Sequence, residues 1–376
     1  MANEFLKLSF CTVSMNRCHH LKKTLVQNIV DNISYPKIEF VVLDYNSTDG
    51  LNQWIAGELH EYIDSGVLVY FRTFDPKSFH RSHSRNLSFK LASGDILCNI
   101  DADNYTGPNF ASYINDEFNG NRNIFLTPID FHKIEHNHFP LPDTLGRVCF
   151  TKEAFHSVRG YTETMSTHGF QDYDFANRLE LFGCKRVIIK NTRFLQAESH
   201  DDLERFKNEY INSNLYKIIC SPLTYFSSCI IFLYTNSTFE KGILIDNSIK
   251  GSRNYLASFI RSRYKYEFSL KEKAWIKGTW HKDKRGNITF VFRNKKDTLN
   301  VVEGLRTQWK HNRTDDMFQH IIDPSIINQL IIFNTQYTNR NTMLDNWRRK
   351  TVVTNGGAYG VGKVFKNFDF EHAVNV

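Results

Sequence analysis

The pattern with the clearest chemical content is Asp101-Ala102-Asp103, which directly follows the apolar run Asp95-Ile96-Leu97-Cys98-Asn99-Ile100. The run reads as a buried strand, so two carboxylates one residue apart stand at its carboxyl end, where an open α/β sheet presents its ligands. Hard oxygen donors at this spacing suit Mg2+ or Mn2+ shared with a diphosphate, because such a cation keeps waters and substrate oxygens in its shell. Asp pairs also occur in turns and caps, which is the alternative for this pair taken alone. A second acidic cluster, Gln171-Asp172-Tyr173-Asp174, precedes a helix segment from Phe175 to Phe182. Its carboxylates either carry chemistry or charge a helix N-terminus. His200, in Glu198-Ser199-His200-Asp201-Asp202, is either a metal ligand or a solvated loop histidine. His132, His136 and His138 compete as a metal site but lie in a mixed Lys/Glu loop without a companion carboxylate pair. His80 and His83, just before Arg85, either contact a diphosphate or sit at the surface.

The elements that must position these groups alternate in the manner of βαβ units. Leu6 to Val13 reads as a strand, and His19 to Asn32 places Leu21, Leu25, Ile29 and Ile33 on one helical face. Glu39 to Asp44 is a second strand, Asn52 to Asp64 a helix, Val67 to Phe71 a third strand and Ser82 to Ala92 a third helix, ahead of the strand at Asp95. Shorter strands are expected at Phe125 to Pro128 and Arg147 to Phe150. Beyond Thr238 the pattern becomes hairpin-like, with Ala274 to Trp280 and Ile288 to Phe292 flanking a turn at Lys284-Arg285-Gly286-Asn287. The expected fold class is α/β: a domain with a mainly parallel open sheet over residues 1–240, followed by a smaller, partly β accessory domain over 241–376.

Four segments in order, Thr12-Val13-Ser14-Met15-Asn16-Arg17, the loop Asp44 to Gly50, Arg85-Asn86 with Ala92-Ser93-Gly94-Asp95, and Asp101-Ala102-Asp103, resemble the family-2 glycosyltransferases of the GT-A fold over residues 5–200. Gly160-Tyr161-Thr162-Glu163 and Thr167 to Phe175, with Arg178-Leu179 a turn later, look like the galactosyltransferase-type second motif. The resemblance implies that Asp172 is the general base toward the acceptor hydroxyl. It implies that Thr12, Ser14, Arg17, Asp44, Arg85, Asp101, Ala102 and Asp103 bind the nucleotide sugar, and that His200 joins Asp101 and Asp103 on Mn2+ or Mg2+. Gln171 stands where that motif has Glu; the change removes a charge but keeps hydrogen-bonding capacity, and Gln171 and Asp174 are expected to contact the acceptor. The implied reaction moves a hexose or N-acetylhexosamine from a UDP-sugar to a glycan or lipid-linked saccharide with inversion, in bacterial capsule or lipopolysaccharide synthesis. A sugar-phosphate nucleotidyltransferase would show a glycine- and basic-rich loop after the first strand, where this chain has Ser14-Met15-Asn16-Arg17-Cys18. A non-catalytic nucleotide- or glycan-binding module is the reading that Gln171 favours and that Asp103 with Asp172 opposes.

Composition sets the outer limits. With 41% hydrophobic residues, 31 Phe and only 8 Pro in 376 residues, the chain has the apolar surface to build a core and is not disordered. Residues 1–250 carry 25 Lys or Arg against 29 Asp or Glu, and residues 251–376 carry 22 against 11. An acidic N-terminal part argues against nucleic acid as partner, whereas the basic part suits an anionic surface, peripheral membrane association included, or simply solubility. The seven cysteines form no C-x-x-C pair and read as buried thiols. Gly356-Gly357-Ala358-Tyr359-Gly360-Val361-Gly362 reads as a flexible loop, since no βαβ unit follows it. Ile218 to Thr238, interrupted by Pro222 and several Ser and Thr, reads as a core or interfacial segment, not a span. Met1 to Lys7 lacks a cationic region followed by an apolar run, so the expected location is the cytoplasm, including the inner face of the membrane.

Overall fold

A computed structural model of the chain describes residues 4–128, 144–200, 204, 206–224, 227–246, 266–268, 276–282, 284, 287–292, 298–303, 308–311 and 317–376. They form two compact units, residues 1–210 with 338–376, and residues 211–337.

The first unit is built on strands β1 (Leu8–Ser14), β2 (Ile38–Tyr45), β3 (Leu68–Thr73) and β4 (Ile96–Asn99), alternating with helices α1 (Cys18–Asn32), α2 (Leu51–Glu58), α3 (His60–Asp64) and α4 (Arg81–Leu91). A two-residue strand β5 (Asn104–Tyr105), α5 (Phe110–Gly120), β6 (Ile124–Thr127), β7 (Cys149–Thr151), α6 (Lys152–Ser157), α7 (Gln171–Phe182), β8 (Lys185–Ile188) and β9 (Gln196–Ala197) follow. Strands β1 to β4 pair in parallel. β7 runs antiparallel between β4 and β6, and β8 lies parallel to β6. The central strands are buried on both faces, as their near-continuous apolar sequences require. One layer of the core gathers Leu21, Leu25 and Ile29 of α1 with Phe10, Phe40 and Phe110; the other gathers Leu87, Phe89, Phe150, Phe155 and Phe175. The parallel strands end on the same side of the sheet, β1 at Ser14, β2 at Tyr45, β3 at Thr73 and β4 at Asn99, so their loops share one rim.

The second unit holds strands β10 (Leu215–Thr224), β11 (Ser227–Tyr234), β12 (Thr238–Asp246), β13 (Tyr266–Phe268), β14 (Ile276–Lys282), β15 (Asn287–Phe292), β16 (Thr298–Glu303), β17 (Gln308–His311) and β18 (Met317–His320). All pairings are antiparallel, and they close on themselves: β10 pairs with both β11 and β18, and β12 with β11 and β14. Leaving β13 as an appendage on β12, the sheet is a barrel without free edges. Ile219, Cys229, Ile231, Leu233, Phe239, Ile288 and Phe290 fill it. Helix α8 (Pro324–Arg348) starts in this unit and ends in the first, where β19 (Lys363–Lys366) and β20 (Ala373–Asn375) extend the large sheet from β3.

The α/β class and mainly parallel sheet agree with the sequence reading. The domain boundary expected near residue 240 falls inside β12, while Ile218 to Thr238, read as a core or interfacial segment, supplies the core strands β10 and β11. The glycine run is no flexible loop. Lys90 donates to the carbonyl of Tyr359, and Gly360 has φ +52° with no room for a Cβ against the backbone of Asn86 and Leu87. All seven cysteines are free and buried, as expected.

Candidate active site

Arg85 is the centre of the rim. It projects from α4, is almost wholly buried, and directs Nη1 to Asp172 Oδ1 at 2.6 Å and Nη2 to Asp101 Oδ1 at 3.0 Å. One guanidinium fork therefore carries a carboxylate from the end of β4 and one from the first turn of α7. Planarity fixes their spacing in a way a lysine could not. Asn99 Nδ2 also donates to Asp101 Oδ1 at 2.9 Å. Burial pushes the Asp101 carboxyl up, but Arg85 and Asn99 outweigh it and hold it below the usual carboxylate range. Gly146 packs directly against the Asp101–Arg85 pair, since a Cβ there would stand 2.5 Å from Asp101 Oδ2 and 2.8 Å from Arg85 Nη2.

Asp172 Oδ1 also accepts from Tyr161 Oη at 2.9 Å, while its Oδ2 has no hydrogen bond among the described residues. The Tyr161 ring stacks on Phe175 at 4.3 Å, and the Arg85 guanidinium lies 5.4 Å from the ring's centre. The base candidate thus has one oxygen immobilised by two donors and one left for a proton.

Asp103 Oδ2 meets His200 Nε2 at 2.9 Å, and its Oδ1 accepts from Asn104 Nδ2 at 3.0 Å. Two ligands at right angles on an ion with bonds of ~2.1 Å stand ~3 Å apart, so this oxygen and nitrogen fit one octahedral cation. The His200 ring lies 5.6 Å from that of His20, which leads to a second group. His19, His20 and Glu204 offer ligand atoms all within 4.8 Å of one another and form a possible metal-binding triad. Burial, then His19 and Arg17, lower the pKa of His20, which favours the neutral imidazole a metal needs. Arg17, however, already places Nη1 2.9 Å from Glu204 Oε1 and 3.1 Å from His20 Nε2. A cation at that point competes with the guanidinium.

The other residues singled out from sequence fall in three environments. Thr12 and Ser14 lie buried at the end of β1, and Ser14 Oγ has no hydrogen-bond partner among the described residues. Ala102 is buried between the two aspartates. Asp44, opposite Ser14 in register, is 0% exposed. It accepts from the Ser47 amide at 2.7 Å and from Tyr70 Oη at 2.7 Å, so its carboxylate shapes the loop after β2. Gln171 and Asp174, expected to face the acceptor, present no such surface. Asp174 is 1% exposed and accepts from Thr162, Arg178 and Asn346 within 2.6–2.9 Å, and buried Gln171 donates to the carbonyl of Thr167. Helix α7 begins at Gln171, so these side chains turn into the fold as its first-turn anchors. His83 is occupied too, with Nδ1 on Tyr45 Oη and Nε2 on the carbonyl of Val361. His132, His136 and His138 lie outside the described residues.

Sequence reading missed the roles of Tyr161, Glu204 and Asn355. Tyr161 stood inside a quoted motif but gave no sign of which carboxylate it serves. The adjacent pair His19-His20 was a signal for metal-like chemistry, but its partner comes from 184 residues further on.

Residues 9–182 match the family model "Glycosyl transferase family 2". No curated protein matches the chain in sequence. Solved structures similar to it include the mannosyltransferase PcManGT from Pyrobaculum calidifontis in complex with GDP-Man and Mn2+, at 18% identity and TM-score 0.41, covering 50% of this chain and 56% of that one. S. aureus TarS 1-349 in complex with UDP-GlcNAc matches at 15% identity and TM-score 0.42, covering 52% and 59%. GalNAc-T7 with UDP, GalNAc and Mn2+ matches at 16% identity and TM-score 0.40, covering 49% and 42%. The matches span less than two-thirds of each of these proteins. The family-2 glycosyltransferase match thus covers a little under half of this chain.

Proposed function

We propose that the first unit transfers a hexose or N-acetylhexosamine from a UDP-sugar to a hydroxyl of a glycan or lipid-linked saccharide, with inversion, in building a bacterial surface polysaccharide such as capsule or lipopolysaccharide. The observation that carries this reading is the Arg85 fork, which fixes Asp101 of the metal-type motif and the base candidate Asp172 on one guanidinium. A transferase needs these two functions side by side, because the leaving diphosphate and the acceptor oxygen bracket one anomeric carbon.

Asp103 and His200, with Asp101, would hold Mn2+ or Mg2+, and when bound the cation offsets the charge growing on the diphosphate. Asp172 takes the acceptor proton on Oδ2 as the hydroxyl oxygen attacks the anomeric carbon; the bond to the diphosphate breaks and its electron pair leaves with UDP. Arg85 and Tyr161 keep Oδ1 out of that exchange. Thr12, Ser14 and Arg17 serve the nucleotide from the end of β1, and Asp44 does so indirectly by fixing the loop after β2. The basic second unit places the enzyme on an anionic membrane surface where a lipid-linked acceptor resides.

A screen of nucleotide sugars with Mn2+ present tests the reading. The expected result is turnover of a UDP-sugar that EDTA abolishes, with Asp172→Asn lowering transfer ~10²–10⁴-fold, the range for loss of a general base, at nearly unchanged donor affinity. Full turnover in EDTA, or lost donor binding with transfer from bound donor intact, overturns it.

A further inference from the structure

Residues 351–362 hold the loop 159–163 through a dense set of polar contacts. Asn355 spends its whole side chain on that loop: Nδ2 donates to the carbonyls of Arg159 at 2.8 Å and Tyr161 at 2.7 Å, and Oδ1 accepts from the amide of Glu163 at 2.9 Å. Its own backbone sits at φ 56°, a left-handed position that asparagine tolerates better than most residues. Asn86 grips the same residue, accepting from the Tyr161 amide at 2.6 Å and donating to its carbonyl at 2.8 Å. Glu163 Oε1 then accepts from Asn86 Nδ2 at 2.9 Å and from the Gly360 amide at 2.7 Å, tying the two grips together. Thr354 Oγ1 lies 3.1 Å from Thr162 Oγ1.

The clamped peptide belongs to Tyr161, whose hydroxyl donates to Asp172 Oδ1. Arg159 at φ 58° holds a left-handed conformation that costs a residue with a Cβ, Gly160 follows at φ +68° where glycine is at ease, and a Cβ on Gly160 would stand 2.4 Å from Asn86 Oδ1. Such a loop keeps one conformation only when its surroundings over-determine it. Three hydrogen bonds from one distant side chain do so here, and the side chain touches no atom expected to react.

We propose that residues 351–362 preset the carboxylate of Asp172, with Asn355 as a positioning residue that acts through Tyr161. The inference rests on the assignment of Asp172 as the acceptor base. A small rotation of Tyr161 would release Oδ1, so the carboxylate would turn about Arg85 alone and lose the orientation of Oδ2. Donor binding, which depends on other residues, is untouched.

The test is a double-mutant cycle on the full chain between Asn355→Gly and Tyr161→Phe, with Asp172→Asn beside it, measuring kcat and both KM values for metal-supported transfer. Asn355→Gly keeps the left-handed backbone and removes only the amide side chain. The expected result is a kcat about tenfold lower with donor KM unchanged, and a double variant no slower than Tyr161→Phe alone, since residues acting as one unit are not additive. Additive losses, an unchanged kcat, or a loss confined to donor KM overturns the positioning role. If Asp172→Asn leaves kcat intact, it is the base assignment that fails, whatever Asn355→Gly does. Should Asn355→Gly not fold, Asn355→Asp is read in the same cycle. It keeps the acceptor for Glu163 and sets a carboxylate oxygen against the carbonyls of Arg159 and Tyr161, so the same non-additive fall in kcat is expected.

Discussion

Arg85 pairs with two carboxylates of unequal burial, 31% exposed for Asp101 and 16% for Asp172, and its loss is felt most through protonation. Burial alone would raise the Asp101 pKa; Arg85, followed by Asn99, reverses that and keeps the carboxyl ionised below its ordinary range. Arg85→Met leaves burial in place and removes the larger opposing influence, so Asp101 takes up a proton at higher pH and ceases to serve a cation. The acid limb of kcat/KM should therefore move toward neutral pH in the variant, on top of any loss of rate. An acid limb unmoved by the substitution, measured with saturating Mn2+ at each pH, would show that Asp101 protonation does not control activity.

At the scale of elements, a buried carboxylate ties three of them together behind the site. Glu39 of β2 accepts from Ser9 Oγ of β1 at 2.5 Å and from the Ser93 amide and Oγ at 2.7 and 2.6 Å, just before β4. Burial pushes its pKa up, but the bonds from Ser9 and Ser93 more than offset this and the net shift is downward. A depressed folded-state value means that the stabilisation is fully present above the unfolded pKa of roughly 4.3 and is lost as pH falls through the folded value. Glu39→Gln should lower the unfolding free energy read from urea denaturation at pH 7, by ~1–3 kcal/mol for donors left facing an amide nitrogen, and should flatten the decline of stability below roughly pH 4. An equally steep acid decline in the variant would move that titration elsewhere. The elements themselves were legible because β1 to β4 are apolar on both faces and their helices have periodic faces; observed ends differ from expected ones by a few residues. The helix expected over Asn52 to Asp64 breaks at Leu59 into α2 and α3, which periodicity does not reveal. Helix α8 was missed because its apolar residues do not keep to one face: Leu330, Ile331 and Ile332 are buried in succession. The aspartates were found since their strand announces where they stand, whereas Asn355 and Glu204 act through folding partners far away in sequence, which spacing cannot show.

On the scale of the whole molecule, charge separates along the same division as structure. Residues 211–337 contain 19 Lys or Arg against 10 Asp or Glu, a net of +9, while residues 1–210 with 338–376 contain 28 against 30, a net of −2. Much of the basic run lies outside the described residues, Arg261, Arg263, Lys265, Lys271, Lys273, Arg285, Lys295 and Lys296 among it. On the barrel, Lys277 pairs with Glu240, while Lys282 and Lys284 are exposed. Trp280 is no free interfacial anchor, since it packs on the barrel core, but Tyr216 stacked on it at 5.3 Å is exposed. No helix among the described residues is long and apolar enough to cross a membrane; the attachment proposed for this unit is electrostatic. Each Lys or Arg near an anionic bilayer contributes ~1 kcal/mol and fades beyond a Debye length of ~8–10 Å, which makes such binding reversible and salt-sensitive. Sedimentation with vesicles of anionic phospholipid should show binding at low salt that weakens as salt rises and is absent from neutral vesicles. Lys282→Glu with Lys284→Glu should reduce it while leaving transfer to a soluble acceptor unchanged. Failure to bind at any lipid composition would leave the positive charge of the barrel with solubility as its only role.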